Sequence, residues 1–245
     1  MSQQALFISD LHLSAERPDA NEQFFRFLGD EAARAQALYV LGDLFEYWAG
    51  DDELNDAAGD PLATDVARGF RRLSDAGVAV HVMHGNRDFF LGKGFLAASG
   101  ARFLDDPSVI RFAGGPVALM HGDTLCTDDR DYQDWRITAR SEDWQREFLA
   151  KPFAERHAAI RALREKSKQV IAAKRAEIMD VNADAVRDAF RRHGVRRLIH
   201  GHTHRPARHD IEVDGARCER WVLPDWYGRG GYLALDDVGP RLVSF

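Results

Sequence analysis

Five short apolar runs in this chain each end in a cluster of polar residues of metal-ligating type. Ala5–Ile8 leads into Asp10-Leu11-His12, and Ala37–Leu41 leads into Gly42-Asp43. Val78–Met83 leads into Gly85-Asn86-Arg87-Asp88, Val117–Met120 into His121-Gly122-Asp123, and Arg197–His200 into Gly201-His202-Thr203-His204. Such short, nearly continuous apolar runs fit strands buried on both faces, the habit of sheets covered by helices. In open α/β sheets ligands bind beyond the carboxyl ends of the strands. The five loops are therefore expected to converge. Any one of these clusters after a strand is commonplace, and the weight lies in the ordered set.

Between the runs the pattern is helical, around Glu22–Ala35 and Thr64–Ala76, with Gly77 placed to stop the second helix. The segment 132–175 has no strand pattern and reads as a helical insertion carrying Trp135, Trp144, Phe148 and Phe153. Within it and just beyond, Ile160, Leu163, Ser167, Val170, Ile171, Lys174 and Ile178 recur at steps of three and four, one helical stripe. Asn182 suits the start of a further helix that His193-Gly194 would end. The tail reads as short strands at Ile211–Val213, Arg217–Leu223, Gly231–Leu235 and Leu242–Phe245, expected as an antiparallel addition. The division expected is an α/β core of 1–131 and 176–245, interrupted by the helical segment 132–175.

Composition narrows the function. With 45% hydrophobic and 29% charged residues, the chain is an ordinary globular one. A net charge of -6 argues against a nucleic-acid partner, and no protein partner is inferred. Cys126 and Cys218 form no CxxC pair or disulfide framework, which suits a reducing compartment. No secretory leader is expected at the start, and no run has the ~18 apolar residues of a spanning helix. The expectation is a protein in the cytosol or lying against a membrane surface.

Asp10, His12, Asp43, Asn86, His121, His202 and His204 offer oxygen and imidazole nitrogen donors, which suit Mn²⁺, Fe²⁺ or Zn²⁺ better than Ca²⁺. Seven donors exceed one tetrahedral ion and fit two ions sharing a carboxylate, an arrangement that activates water and clamps a phosphoryl group. His81, His84, His157, His193, His200 and His209 do not share the strand-end position and read as structural.

The blocks D-x-H, GD, GN-[HR]-[DE], H and GH-x-H, present here in order, resemble the calcineurin-like metallophosphoesterases. The closer resemblance is to the UDP-2,3-diacylglucosamine diphosphatases of lipid A synthesis. It rests on Phe7–Leu13, Leu41–Glu46 with Gly50-Asp51-Asp52, His84–Phe89, His121–Asp129, Ile178–Asn182 and His200–Pro206. The resemblance implies a four-layer α-β-β-α sandwich with segment 132–175 as a cap for the lipid. It also implies two Mn²⁺ ions, one held by Asp10, His12, Asp43 and His204. The other would be held by Asp43, Asn86, His121 and His202, with Asp43 bridging.

By the same resemblance Asp43, Asn86, Arg87 and His121 are catalytic. Asn86, Arg87, Asp129, Tyr132, Ser167, Ile171, Lys174 and His202 would meet the substrate, and Ile171 departs from the family's Asn. The implied reaction is attack of water at the α-phosphorus of UDP-2,3-diacylglucosamine, giving UMP and 2,3-diacylglucosamine 1-phosphate. The implied location is peripheral, on the cytoplasmic side of the inner membrane. An Arg at position 87 forks onto phosphate oxygens but donates protons poorly, which fits a leaving group stable as an anion. The rival readings are a hydrolase of a soluble nucleotide or cyclic phosphodiester, which would not require the apolar insertion, and a non-enzymatic relic, which would have lost ligands.

Overall fold

The computed structural model describes residues 4–54, 61–112, 114–173 and 180–245. The strands are β1 (Ala5–Ile8), β2 (Ala37–Leu41), β3 (Ala79–Met83), β4 (Arg102–Phe103), β5 (Ser108–Phe112), β6 (Gly115–Met120), β7 (Arg197–His200), β8 (Ala207–Val213), β9 (Ala216–Val222), β10 (Gly231–Asp236) and β11 (Gly239–Ser244). The helices are α1 (Pro18–Asp30), α2 (Pro61–Asp75), α3 (Lys93–Ser99), α4 (Arg130–Arg140), α5 (Glu142–Leu149), α6 (Phe153–Ala173) and α7 (Ala183–His193).

Two sheets form, in the orders β11-β10-β1-β2-β3-β4 and β5-β6-β7-β9-β8. Alternation along β1 shows how they pack. Ala5 and Phe7 enter a core with Tyr39, Leu41, Leu119, Ile199, Trp221 and Leu233, between the sheets. Leu6 and Ile8 point the other way, against Phe24, Phe27, Val66 and Phe70 of α1 and α2. Beyond the second sheet, Ala118 and Leu198 pack on Val186, Ala189 and Phe190 of α7. The layers therefore run helix, sheet, sheet, helix. Each fully buried Phe contributes roughly 1.5–3 kcal/mol through burial.

Local chemistry sets the helix ends. α1 begins at Pro18, four residues before the expected Glu22, because proline at the first helical position has its φ preset and needs no N–H partner. It ends at Asp30 and gives way to a 3-10 turn, Ala32–Arg34, short of the expected Ala35. α2 ends where Gly77 takes φ 93° and the Val78 N–H reaches back to the Leu73 carbonyl. Asn182 caps α7 by accepting from the Asp184 and Ala185 N–H groups, and Gly194 follows the helix at φ 60°.

Two expectations change. The tail is not wholly an antiparallel addition: β8, β10 and β11 pair antiparallel, but β9 runs parallel to β7, with Ile199 opposite Trp221. That register puts Trp221 and Leu223 into the core between the sheets. β4 and β5 had no strand expectation. β4 is two exposed residues, and β5 is an edge strand alternating half-buried and exposed positions, so neither forms a continuous apolar run. Within 132–175 lie α5, α6 and most of α4. Ser141 ends α4 and caps α5 by accepting from the Trp144 N–H. Phe148 of α5 is buried in the main core, stacked on Phe90 at 4.7 Å and Trp144 at 5.3 Å. Among the described residues, no helix is long and apolar enough to cross a membrane.

Candidate metal centre

The loops after β1, β2, β3, β6 and β7 meet where the two sheets abut. Backbone bonds stitch them together. Asp10 N–H donates to the Gly42 carbonyl (3.2 Å), His12 N–H to Asp43 (3.0 Å) and Gly201 N–H to His121 (2.8 Å). The Asp88 carboxylate, fully buried, accepts from Leu44 N–H (2.7 Å) and Gly85 N–H (2.9 Å), tying the second loop to the third. Two glycines permit the approach. A Cβ on Gly85 would sit 2.0 Å from Asp43 Oδ1, and one on Gly201 would sit 2.0 Å from Ser9 Oγ.

Five of the seven expected ligands hold the left-handed backbone conformation: Asp10 (φ 56°), His12 (50°), Asp43 (52°), His202 (69°) and His204 (53°). Outside glycine, the one other described residue of this kind is Asp214, in the β8–β9 turn. Each costs on the order of 1–3 kcal/mol and persists only where its surroundings hold it, a pattern that concentrates at functional sites.

The side chains of all seven residues converge. One donor atom each from Asp10, His12 and His204 lies within 4.8 Å of the others, as does one each from Asp10, Asp43 and His121. Asp43 Oδ2 is 3.8 Å from His12 Nε2 and 3.9 Å from His121 Nε2, so it stands between the two groups. One atom of the Asn86 amide is 3.0 Å from both His121 Nε2 and His202 Nδ1. If that atom is nitrogen it donates to both rings, and if it is oxygen it joins the two ring nitrogens as a set of donors that a cation can take. His121 Nδ1–H donates to the Leu41 carbonyl (2.9 Å), which turns Nε2 toward the centre. Both ring nitrogens of His12 are buried with no hydrogen-bond partner among the described residues, Nδ1 lying 3.1 Å from Glu46 Oε2. These donors fit a divalent metal, and Cys126, its thiol pushed by burial to about 12, adds no thiolate.

Charge supports the same reading. In the metal-free protein burial lowers His12 and His202 to about 4, so both rings are neutral donors. Burial also opposes protonation of His121, but Asp43, Asp123 and Asp10 outweigh it and hold that ring at about 9. Asp10 is opposed by burial too, yet His204, His121 and His12 keep its carboxyl well below the usual range. A protonated His121 thus balances buried carboxylates, a task a cation takes over when it binds and expels the proton.

Around the centre, Arg87 approaches Asp43 with its guanidinium Nε at 4.0 Å from Oδ2. The Tyr132 ring is 5.9 Å from His202, and its hydroxyl donates to Asp123 Oδ2 (2.7 Å), as does Arg136 Nε (2.8 Å). Asp129 caps α4 by accepting from the Tyr132 N–H. Ser167 is half-buried on α6, whereas Lys174, Ile178 and the side chains of Val170 and Ile171 lie outside the described residues. Leu163, expected on the stripe with Ile160, is 39% exposed while Ile160 packs on the core. His84 and His200 are structural: the His84 ring meets the Leu91 carbonyl (2.7 Å), and His200 Nε2 accepts from Arg220 (3.0 Å). Asp88, Asp123, Glu46 and Tyr227 are participants that no role had been assigned. Asp88 and Asp123 sat inside the clusters, where a tight turn leaves N–H groups in need of an acceptor. Tyr227, 4.9 Å from His12 and 5.5 Å from His204 by ring centroids, gave no signal.

The profile of the family described as calcineurin-like phosphoesterase matches residues 4–206. The chain belongs to the calcineurin-like phosphoesterase family. Membership and donor set together make it a metal-dependent hydrolase. Among its relatives is the UDP-2,3-diacylglucosamine hydrolase of Aromatoleum aromaticum, 49% identical over 239 residues, 98% of this chain and 96% of that one. The protein of that name from Pseudomonas paraeruginosa is 48% identical over 242 residues, covering 98% of each chain. That from Chromobacterium violaceum is 49% identical over 239 residues, covering 96% of each. The chain falls in the same branch of the phosphoesterases as these proteins.

Proposed function

We propose that this phosphoesterase hydrolyses UDP-2,3-diacylglucosamine, with water attacking the α-phosphorus to give UMP and 2,3-diacylglucosamine 1-phosphate in lipid A synthesis. The observation that carries the reading is near-complete colinearity, at 49% identity, with a relative bearing that substrate in its name. It is joined by a converged set of oxygen and nitrogen donors. Asp10, His12, Asp43 and His204 would hold one divalent ion, and Asp43, Asn86, His121 and His202 a second, with Mn²⁺ the proposed metal. When bound, such ions supply Lewis-acid activation of water and neutralise charge on the phosphoryl group.

The chain's own residues do the rest. Arg87 forks onto non-bridging oxygens and stabilises the charge that builds there, its backbone fixed by donation to Asp43 Oδ1 (2.8 Å). The leaving sugar phosphate departs as a stable anion, so Arg87 need not give up a proton. Asp129, Tyr132, Ser167, Ile171, Lys174 and His202 are proposed substrate contacts. Segment 132–175 is the proposed cap, with exposed Trp135, Ile137, Leu149 and Leu163 supplying apolar surface for acyl chains. The proposed location is peripheral, at the cytoplasmic face of the inner membrane.

Purified protein with Mn²⁺ and UDP-2,3-diacylglucosamine in H₂¹⁸O tests the reading. UMP carrying the label is expected. Label in the sugar phosphate would refute attack at the α-phosphorus, and no cleavage would refute the substrate.

A further inference from the structure

Glu46 stands three residues after Asp43 and faces groups from three distant parts of the chain. Its Oε2 lies 3.1 Å from His12 Nδ1. The Tyr227 hydroxyl donates to the same oxygen at 3.3 Å. Its Oε1 pairs with the Arg164 guanidinium, from the middle of α6. His12 is 1% exposed, Arg164 13% and Glu46 21%, so these contacts are made largely out of water. The backbone fixes the loop as well: Glu46 N–H donates to the Leu13 carbonyl (3.0 Å), and Leu13 N–H donates to Leu44 (2.9 Å).

We propose that Glu46 is a positioning residue that couples the seating of α6 to the orientation of His12, and through it to metal affinity. This rests on the reading of His12 as a metal ligand. A neutral imidazole carries one N–H. Nδ1 faces Glu46 Oε2 at 3.1 Å and Nε2 lies on the side of Asp43 Oδ2, 3.8 Å away, so a proton held on Nδ1 beside the carboxylate would leave the Nε2 lone pair toward the metal donors. A carboxylate behind a ligating histidine fixes its tautomer and raises its basicity.

The same carboxylate is the counter-charge of Arg164, and α6 rests on the rest of that loop. Arg156 donates to the Ala49 carbonyl (2.6 Å) and pairs with Asp52, and His157 Nε2 lies 2.9 Å from Glu53 Oε1. Of these anchors, Glu46 alone among the described residues also touches an expected metal ligand. Lifting α6 removes Arg164, one of the three groups that hold the Glu46 carboxylate in line. Emptying the metal site frees His12 and loosens a second. By linkage the two effects are reciprocal.

The test measures Mn²⁺ affinity by calorimetry on metal-stripped protein, and hydrogen–deuterium exchange of α6 with and without Mn²⁺. In the wild type, Mn²⁺ should slow exchange in α6. Glu46→Ala should weaken Mn²⁺ binding by about 10- to 100-fold and abolish the metal-dependent protection. Glu46→Gln, which keeps an acceptor oxygen beside His12 Nδ1 but has no charge for Arg164, should recover most of the affinity and none of the protection. Arg164→Ala should behave as Glu46→Gln. Wild-type affinity or retained protection in a folded Glu46→Ala protein overturns the coupling. His12→Ala is the control: if it too binds Mn²⁺ like the wild type, the reading of the metal site itself has failed.

Discussion

The Arg87 backbone N–H donates to Asp43 Oδ1 at 2.8 Å, while the guanidinium Nε of the same residue lies 4.0 Å from Asp43 Oδ2. One carboxylate thus fixes the residue that would grip phosphate and stands between the two groups of metal donors. Arg87→Ala should leave metal content near normal and lower kcat by on the order of 10²-fold or more, as removal of one preorganised donor does. Arg87→Lys should not rescue it, since a point charge replaces a fork. Steady-state kinetics beside metal analysis decides this, and kcat/KM within a few-fold of wild type for Arg87→Ala would make the residue structural.

Asp43→Ala removes the negative donor shared by both sets and the acceptor for Arg87 N–H. Mn²⁺ stoichiometry should fall, and activity should drop by on the order of 10³-fold or more. The fold should survive, because the neighbouring loops remain tied by the Asp88 carboxylate to Leu44 and Gly85. A well-folded, metal-replete variant with near-normal turnover would contradict the assignment.

Asp106 carries a cost that pH should expose. Both of its carboxylate oxygens are buried with no hydrogen-bond partner among the described residues. Burial, reinforced by Asp123, raises its pKa to about 6. The folded value lies above the unfolded one, so the folded chain binds the proton more tightly and stability falls as pH rises from about 4 to about 6. At pH 8 the charged form destabilises the fold by on the order of 2 kcal/mol. Asp106→Asn should raise Tm of the metal-free protein by about 5 °C at pH 8 and by little at pH 5. Equal shifts at both pH values would remove the carboxylate from the explanation.

What could be read in advance followed burial. β1, β2 and β7 match the apolar runs residue for residue, because strands covered on both faces cannot accommodate polar alternation. The converging polar side chains were legible for the same reason, standing where such strands stop. The half-exposed β5 and the parallel placement of β9 were not, since alternation marks a strand without naming its partner. Nothing in the order of residues announces that His12 and His204 adopt positive φ, or that Tyr227 returns from beyond β9 to lie over them. Those facts come from how the two sheets close on each other.

The basic character of α6 gives a weaker membrane expectation than its composition suggests. Segment 151–175 has eight basic and two acidic residues. Arg156 and Arg164 are engaged with Asp52 and Glu46, leaving exposed Lys151, Arg161 and Lys166 among the described side chains to face a surface. Each close basic residue contributes about 1 kcal/mol of attraction to an anionic leaflet. Sedimentation with anionic vesicles should show binding in low salt that is lost in high salt. No binding in low salt would assign the charge to ordinary solvation.

Leu163 separates a lipid-binding role for α6 from a purely architectural one. Helical spacing placed it on one stripe with Ile160, but the two diverge. Ile160 packs against the core under α6, beside the anchors Arg156 and Arg164, while Leu163 stays 39% exposed. Exposed Trp135 and Ile137 on α4 and Leu149 on α5 belong to the same segment. Single exposed apolar residues are normal, and several on consecutive helices suit a surface that takes an apolar ligand. A Trp at 163 adds bulk outside the core, so the fold should tolerate it. Leu163→Trp should then raise KM for long-chain UDP-2,3-diacylglucosamine more than for a short-chain analogue. Hydrolysis of bis-p-nitrophenyl phosphate, which has no acyl chain, should be unchanged. Lys174→Ala, if that residue meets the headgroup as proposed, should raise KM for both lipids and spare the generic diester. Equal losses on all three substrates would mean that α6 supports the active-site loops and does not touch the lipid.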